Sequence, residues 1–186
     1  MIDSDSLLGF KVKWKRRMIE MITFNIRKIP DMYVAAIQVQ SLTPEKDTLI
    51  QIMNFVKNHE FINLVTSCHF GFTVPNINMD RGIFGCEKWI SIPNEMEILP
   101  PFKKKHFAGG AYATKIIRSG EYDKWCNLID DVQKSAYEID MNFDIYNGAR
   151  LEQYNFITSP NFKQMEEESF IQLLIRIKGE NIDEPK

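Results

Sequence analysis

Cysteine and histidine are both scarce in this chain, with three of each among 186 residues. Cys68, Cys86 and Cys126 lie far apart and form no Cys-x-x-Cys pair. That spacing argues against a disulfide framework or a structural zinc site, and it points to a reducing cytoplasm. His59, His69 and His106 have no carboxylate or cysteine at ligand spacing, so neither a metal nor a cofactor is expected. A Gly-x-Ser-x-Gly elbow and a phosphate-binding loop are missing too. No apolar run approaches the roughly 20 residues of a membrane span. Basic residues interrupt the N-terminus where a secretory leader would be apolar. The formal net charge is −2, too small for a global nucleic-acid footprint.

What the chain does have is apolar and aromatic material, 44% hydrophobic and 12% aromatic. That suffices for a sizeable core in one domain or in two joined repeats. Residues 1–20 stand apart, because Lys11, Lys13, Lys15, Arg16 and Arg17 crowd around Trp14. They read as a solvated basic leader or tail, too short for a helix-turn-helix, and no DNA-binding module is expected. Residues 179–186 read as a polar tail.

Between these ends the pattern is β-rich. Ile22–Ile29 alternates apolar and polar residues until Pro30-Asp31 breaks it, and Tyr33–Val39 is a second strand. Thr43-Pro44 opens a helix whose apolar face is Leu49, Ile52, Met53 and Val56. The second half starts again after Pro100-Pro101. Gly109-Gly110 is a backbone bend before the strand Ala111–Ile117. A helix follows, entered at Ser119-Gly120 with Tyr122, Trp125, Ile129 and Val132 on one side. The strands Leu151–Ile157 and Phe170–Ile177 close the chain. Phe24–Ile37 matches Phe102–Lys115 at an offset of 78 residues, and Trp89–Pro93 answers Leu173–Ile177. The expected fold is therefore α+β, a tandem pseudo-two-fold repeat with halves at about 21–98 and about 99–178. Helices on one face would leave the other free for a cleft where the halves meet.

The strand Phe84–Pro93 carries the feature of most chemical interest. Alternation puts Cys86, Lys88, Ile90 and Ile92 on one face, and Glu87, Trp89 and Ser91 on the other. A carboxylate two residues from a tryptophan in an apolar strand reads either as a solvated edge residue or as a polar anchor in a cleft. Tyr154 and Phe156 share a face with Glu152, which either lines the cleft or is solvated and partly covered. Tyr33 is a rim residue at the repeat position of Ala111.

Taken together, Ile29-Pro30-Asp31-Met32-Tyr33-Val34-Ala35, Phe70-Gly71-Phe72, Gly85-Cys86-Glu87-Lys88-Trp89-Ile90 and Phe107-Ala108-Gly109-Gly110-Ala111-Tyr112-Ala113 resemble the GyrI-like small-molecule-binding domain. Trp125, Glu152-Gln153-Tyr154 and Leu173–Ile177 continue the resemblance across residues 21–178. It implies a repeated strand–helix–two-strand unit with a ligand cleft between the copies. It also implies a pocket glutamate at Glu87, with Trp89 and Tyr112 as aromatic walls. The expected function is binding of an amphipathic, cationic or polarised aromatic molecule, for sensing or sequestration. Cation–π contacts would add about 0.5–2 kcal/mol each. Two alternatives accompany it. One is a hydrolase of cyclopropane-bearing DNA-alkylating natural products, using Glu87 with a tyrosine. The other is an inhibitory or adaptor protein that touches a macromolecule through Lys11–Arg17 or Lys103–Lys105.

Overall fold

The two-residue breaks of the sequence decide the shape. The computed structural model describes residues 23–60, 62, 67–74, 82–121, 123–154 and 170–179. The basic segment 1–20, Phe156 and the tail from Asn181 lie outside the described residues. In order come β1 (Asn25–Ile29), β2 (Met32–Ser41), α1 (Pro44–Lys57), β3 (His69–Val74), β4 (Phe84–Ile92) and β5 (Lys103–Phe107). β6 (Gly110–Arg118), α2 (Lys124–Lys134), β7 (Arg150–Tyr154) and β8 (Phe170–Ile177) follow. The strands form one antiparallel sheet in the order β1-β6-β8-β7-β3-β4-β2-β5. The fold is α+β. Exchanging each strand for the one four places on gives the same order read from the other end.

Only Pro30-Asp31 joins β1 to β2, although they stand near opposite ends of the sheet. The three steps from Ile29 to Met32 reach about 11 Å at most. The sheet therefore curls until its two ends are neighbours, and Ala108-Gly109 makes the same short link between β5 and β6. The two links touch. Gly109 has φ 56°, and a Cβ there would stand 2.5 Å from the Pro30 carbonyl carbon, so only glycine fits the crossing.

The inner face of the curl is a core to which every strand contributes, from Ile29 and Val34 through Phe70, Trp89, Phe107 and Tyr112 to Leu151 and Leu174. The face away from the helices is thus packed, where the sequence suggested an open cleft. The outer face carries the helices. α1 lays Ile52 and Phe55 on Ala35, Ile37, Ile90 and Ile92. α2 lays Leu128 and Val132 on Ala113, Ile117, Leu173 and Ile175. Burying Ile52 and Phe55 contributes about 3–6 kcal/mol. That exceeds the ~1 kcal/mol of an N-cap, which suits a helix whose N-cap Thr43 makes no side-chain capping bond.

Two sequence expectations shift. The buried face of α1 runs through Pro44, Thr48, Ile52 and Phe55, while Leu49, Met53 and Val56 flank it half-buried. Lys103–Phe107 is a full strand on β2, hidden in the sequence because Lys103, Lys104, Lys105 and His106 blur its alternation. Each half is therefore strand–strand–helix–strand–strand, and its first strand pairs with the other half.

Candidate functional site

Two buried carboxylates lie on opposite faces of the sheet. Glu87, in β4, points inward and is 3% exposed. Its Oε1 accepts the Trp89 indole N–H at 2.6 Å and also the Lys105 ammonium in an ion pair. Lys105 comes from β5, where alternation turns Lys105 and Phe107 inward together. Its Nζ lies 5.4 Å from the Trp89 ring centroid and 6.0 Å from that of Tyr146. A cavity of about 270 Å³ opens beside it, lined by Val34, Trp89, Lys105, His106, Phe107, Tyr146 and Asn147. The expected anchor is thus already neutralised by a tethered cation.

The register supplies its counterpart in the second half. Gln38 pairs with Glu87, and Ile116, 78 residues on, pairs with Gln172. Trp89 accordingly answers Leu174, one residue beyond the match drawn from sequence. Arg27 occupies the place of Lys105, and its Nη1 donates to Gln172 Oε1 at 2.9 Å and to Gln153 Oε1 at 2.5 Å. One half holds a charged pair there, and the other holds a guanidinium on two amides.

The second carboxylate is Glu152, on the helix side of β7 and 8% exposed. α1 rests on β2 and β4, and α2 on β6 and β8, so the central pair β3 and β7 lies between the strands that carry the helices. There Trp125 of α2 donates to Glu152 Oε1 at 3.3 Å, and the Tyr154 hydroxyl donates to Oε2 at 2.5 Å. Burial, and then the adjacent Glu152 charge, push the Tyr154 phenol well above its ordinary range and keep it a donor. The Tyr154 ring leans over Gly71, where an added Cβ would stand 3.0 Å from its Cε2. Lys88 places its ammonium 3.6 Å from the ring centroid. Among the described residues no ion pair reaches Glu152. Burial also raises the nearby Cys86 thiol, which stays protonated.

The residues singled out from sequence divide between these places. Glu87 and Trp89 come together inside the curl. Tyr112 is inside too but fully buried, donating to the Gly148 carbonyl at 2.8 Å and accepting from Arg176 Nη1 at 3.2 Å. Burial drives its phenol up to about 12. Gly148, just after the 3-10 turn Ile145–Asn147, packs against it, and it does not line the cavity beside Lys105. Tyr154 lies on the opposite face from Glu87, beside Glu152. Tyr33 packs on the α1 side at the rim, under the Lys104 ammonium at 4.7 Å. Sequence reasoning missed Lys105, Tyr146 and Asn147. Only the inward place of Lys105 was available to it, as the repeat position of Arg27.

Among the described residues no helix is long and apolar enough to cross a membrane, and no group of three or more His, Cys, Asp or Glu is placed to hold a metal ion. No curated protein matches the chain. EcmrR, in a DNA complex solved by cryo-EM, is 13% identical with a TM-score of 0.59, and the match covers 84% of this chain and 57% of that one. The crystal structure of the EcmrR C-terminal domain gives 13% identity and 0.58, covering 86% of this chain and 99% of the domain. An integron cassette protein from the mobile metagenome of Vibrio cholerae gives 12% and 0.41, covering 83% and 95%. This chain thus spans 57% of the EcmrR chain in the DNA complex, and at 13% identity the likeness to EcmrR is one of fold. Residues 25–177 match the family described as integron-associated effector binding protein (Cass2), and the chain belongs to that family.

Proposed function

We propose that this chain binds a lipophilic organic cation in the groove between α1 and α2, with Glu152 as the charged anchor and Tyr154 and Trp125 as aromatic walls. One observation carries the proposal. Among the described residues, Glu152 is buried and takes its side-chain hydrogen bonds from neutral donors, the Trp125 indole and the Tyr154 hydroxyl. A carboxylate withdrawn from water costs several kcal/mol unless a cation offsets it. Lys88 stops over the Tyr154 ring, outside ion-pair range of Glu152. A ligand cation supplies the counter-charge, and the Trp125 ring adds cation–π attraction, the Tyr154 ring already carrying the Lys88 ammonium. Glu87 is less suited to the same role, because Lys105 already neutralises it. The reading also takes the halves, about 21–98 and about 99–178, as copies of one unit facing each other across the groove, in keeping with the palindromic strand order.

Isothermal titration with cationic triarylmethane dyes and uncharged aromatics of similar size tests this. Glu152→Gln removes the charge, while its amide oxygen still accepts from Trp125 and its NH2 can donate to the Tyr154 oxygen, reversing that bond. Cation affinity should fall about 10- to 100-fold, in line with the ~1.5–3 kcal/mol of a charge-assisted contact. Neutral ligands should bind within twofold of the parent. Equal loss for both classes, or none, would defeat the proposal.

A second reading rests on the 2.5 Å bond between Tyr154 and Glu152. A carboxylate beside a neutral phenol is a pair that can orient water and protonate a leaving group. The hydrolase alternative therefore moves from Glu87 to Glu152 with Tyr154. Incubation with a cyclopropane electrophile, followed by quantitative recovery of intact compound, would dismiss it.

A further inference from the structure

The cavity inside the curl is separate from the groove, and its chemistry is different. Glu87 neutralises Lys105, so the pair offers no unbalanced charge to an ion of either sign. It does offer hydrogen bonds. An ammonium has three N–H donors, and Lys105 gives one of them to Glu87. Asn147, which also lines the cavity, gives its side-chain NH2 to Asp144 Oδ1 at 2.9 Å, which leaves its amide carbonyl as an acceptor. The rest of the lining is mostly apolar, with Val34, Trp89, Phe107 and Tyr146 beside His106. The volume of about 270 Å³ lies just below the usual range for drug-sized ligands. It suits a molecule of one or two fused rings.

We infer that this cavity is a second ligand site, for an uncharged planar aromatic carboxamide or lactam. Its carbonyl accepts from the Lys105 ammonium, its N–H donates to Asn147, and its ring packs between Trp89 and Tyr146. A carboxylate ligand would crowd Glu87 at the shared ammonium. An ammonium ligand would meet Lys105 itself. The site asks for a neutral donor–acceptor edge because its own charges are already paired.

The test is isothermal titration of the full chain with 2-quinolone, N-methyl-2-quinolone, 2-naphthoate and 2-naphthylmethylammonium. The lactam should bind, and N-methylation, which removes the donor, should weaken it about 2- to 10-fold, as for loss of one ordinary hydrogen bond. Lys105→Met should weaken it by a similar factor. Because that variant leaves Glu87 without its cation, Asn147→Leu serves as a second variant with the same expected loss. Glu152→Gln should leave lactam binding unchanged, and a dye cation bound in the groove should not displace the lactam. The inference is overturned if none of the four probes binds, if the carboxylate or the ammonium binds more tightly than the lactam, or if Glu152→Gln removes lactam binding. In the last case the lactam occupies the groove.

Discussion

Breaking the Glu87–Lys105 pair from either side gives a quantitative test of how the curl is held. Lys105→Met removes the cation and leaves a carboxylate that is 4% exposed as a side chain, with the Trp89 indole as its hydrogen-bond donor. Truncating a fully buried pair costs about 3–5 kcal/mol, whereas exposed pairs contribute about 0–1 kcal/mol. The Lys105 side chain is 30% exposed, so this pair falls between the two, at about 2 kcal/mol. For a chain of this length such a loss lowers Tm by about 4–8 °C. Glu87→Gln should cost less, because the amide still accepts from Trp89 and the freed ammonium can turn to water. The double variant should be about as stable as Glu87→Gln alone. Urea denaturation of the four proteins gives the coupling energy directly. Strictly additive losses would mean that the two side chains do not stabilise each other, and the account of a tethered cation would fail.

Two further outcomes follow from the inner core. Gly148 has φ 88°, and a Cβ there would stand 2.6 Å from Phe107 Cε2 and 3.1 Å from the Tyr112 hydroxyl. Gly148→Ala should lose about 2–3 kcal/mol, combining a left-handed alanine with overpacking, and a Tm within 1 °C of the parent would refute it. Tyr112 titrates near 12 when folded against 10.0 when free. A raised folded value means full stability below pH 10 and loss as pH rises from 10 towards 12, by about 3 kcal/mol for this group. Alkaline denaturation of Tyr112→Phe should therefore show a shallower decline, although the variant starts lower for want of the hydrogen bond to Gly148.

Much of this fold was legible in the sequence because its strands alternate cleanly and its breaks are marked. Pro30-Asp31 and Gly109-Gly110 sit where the chain crosses between the ends of the sheet, and β1 and β2 begin 78 residues before β5 and β6. The effector-binding resemblance also holds, in the family match over residues 25–177. The site was less legible. Alternation along β4 places Glu87 beside Trp89, but it says nothing of which strand lies alongside. Lys105 arrives through β2, on which β4 and β5 both pair. Glu152 and Tyr154 were visible as neighbours on one strand face. Whether that face meets helix, core or water depends on how the sheet curls, and that is set by two short links far away in sequence.

Those links have a mechanical consequence. Each half wears the first strand of the other, fastened by five register pairs: β1 on β6, and β5 on β2. Among the described residues the direct seam between the halves, β3 on β7, has two, Phe70 with Gln153 and Gly71 with Glu152. The molecule is built like a buckle with two long straps and a short clasp. A bulky guest wedged between α1 and α2 loads the clasp first, where little is bonded, while the straps keep the halves in place. The space between the helices can therefore widen without the protein coming apart, and cutting the chain near Leu99 would yield two pieces that each lack the strap holding them closed.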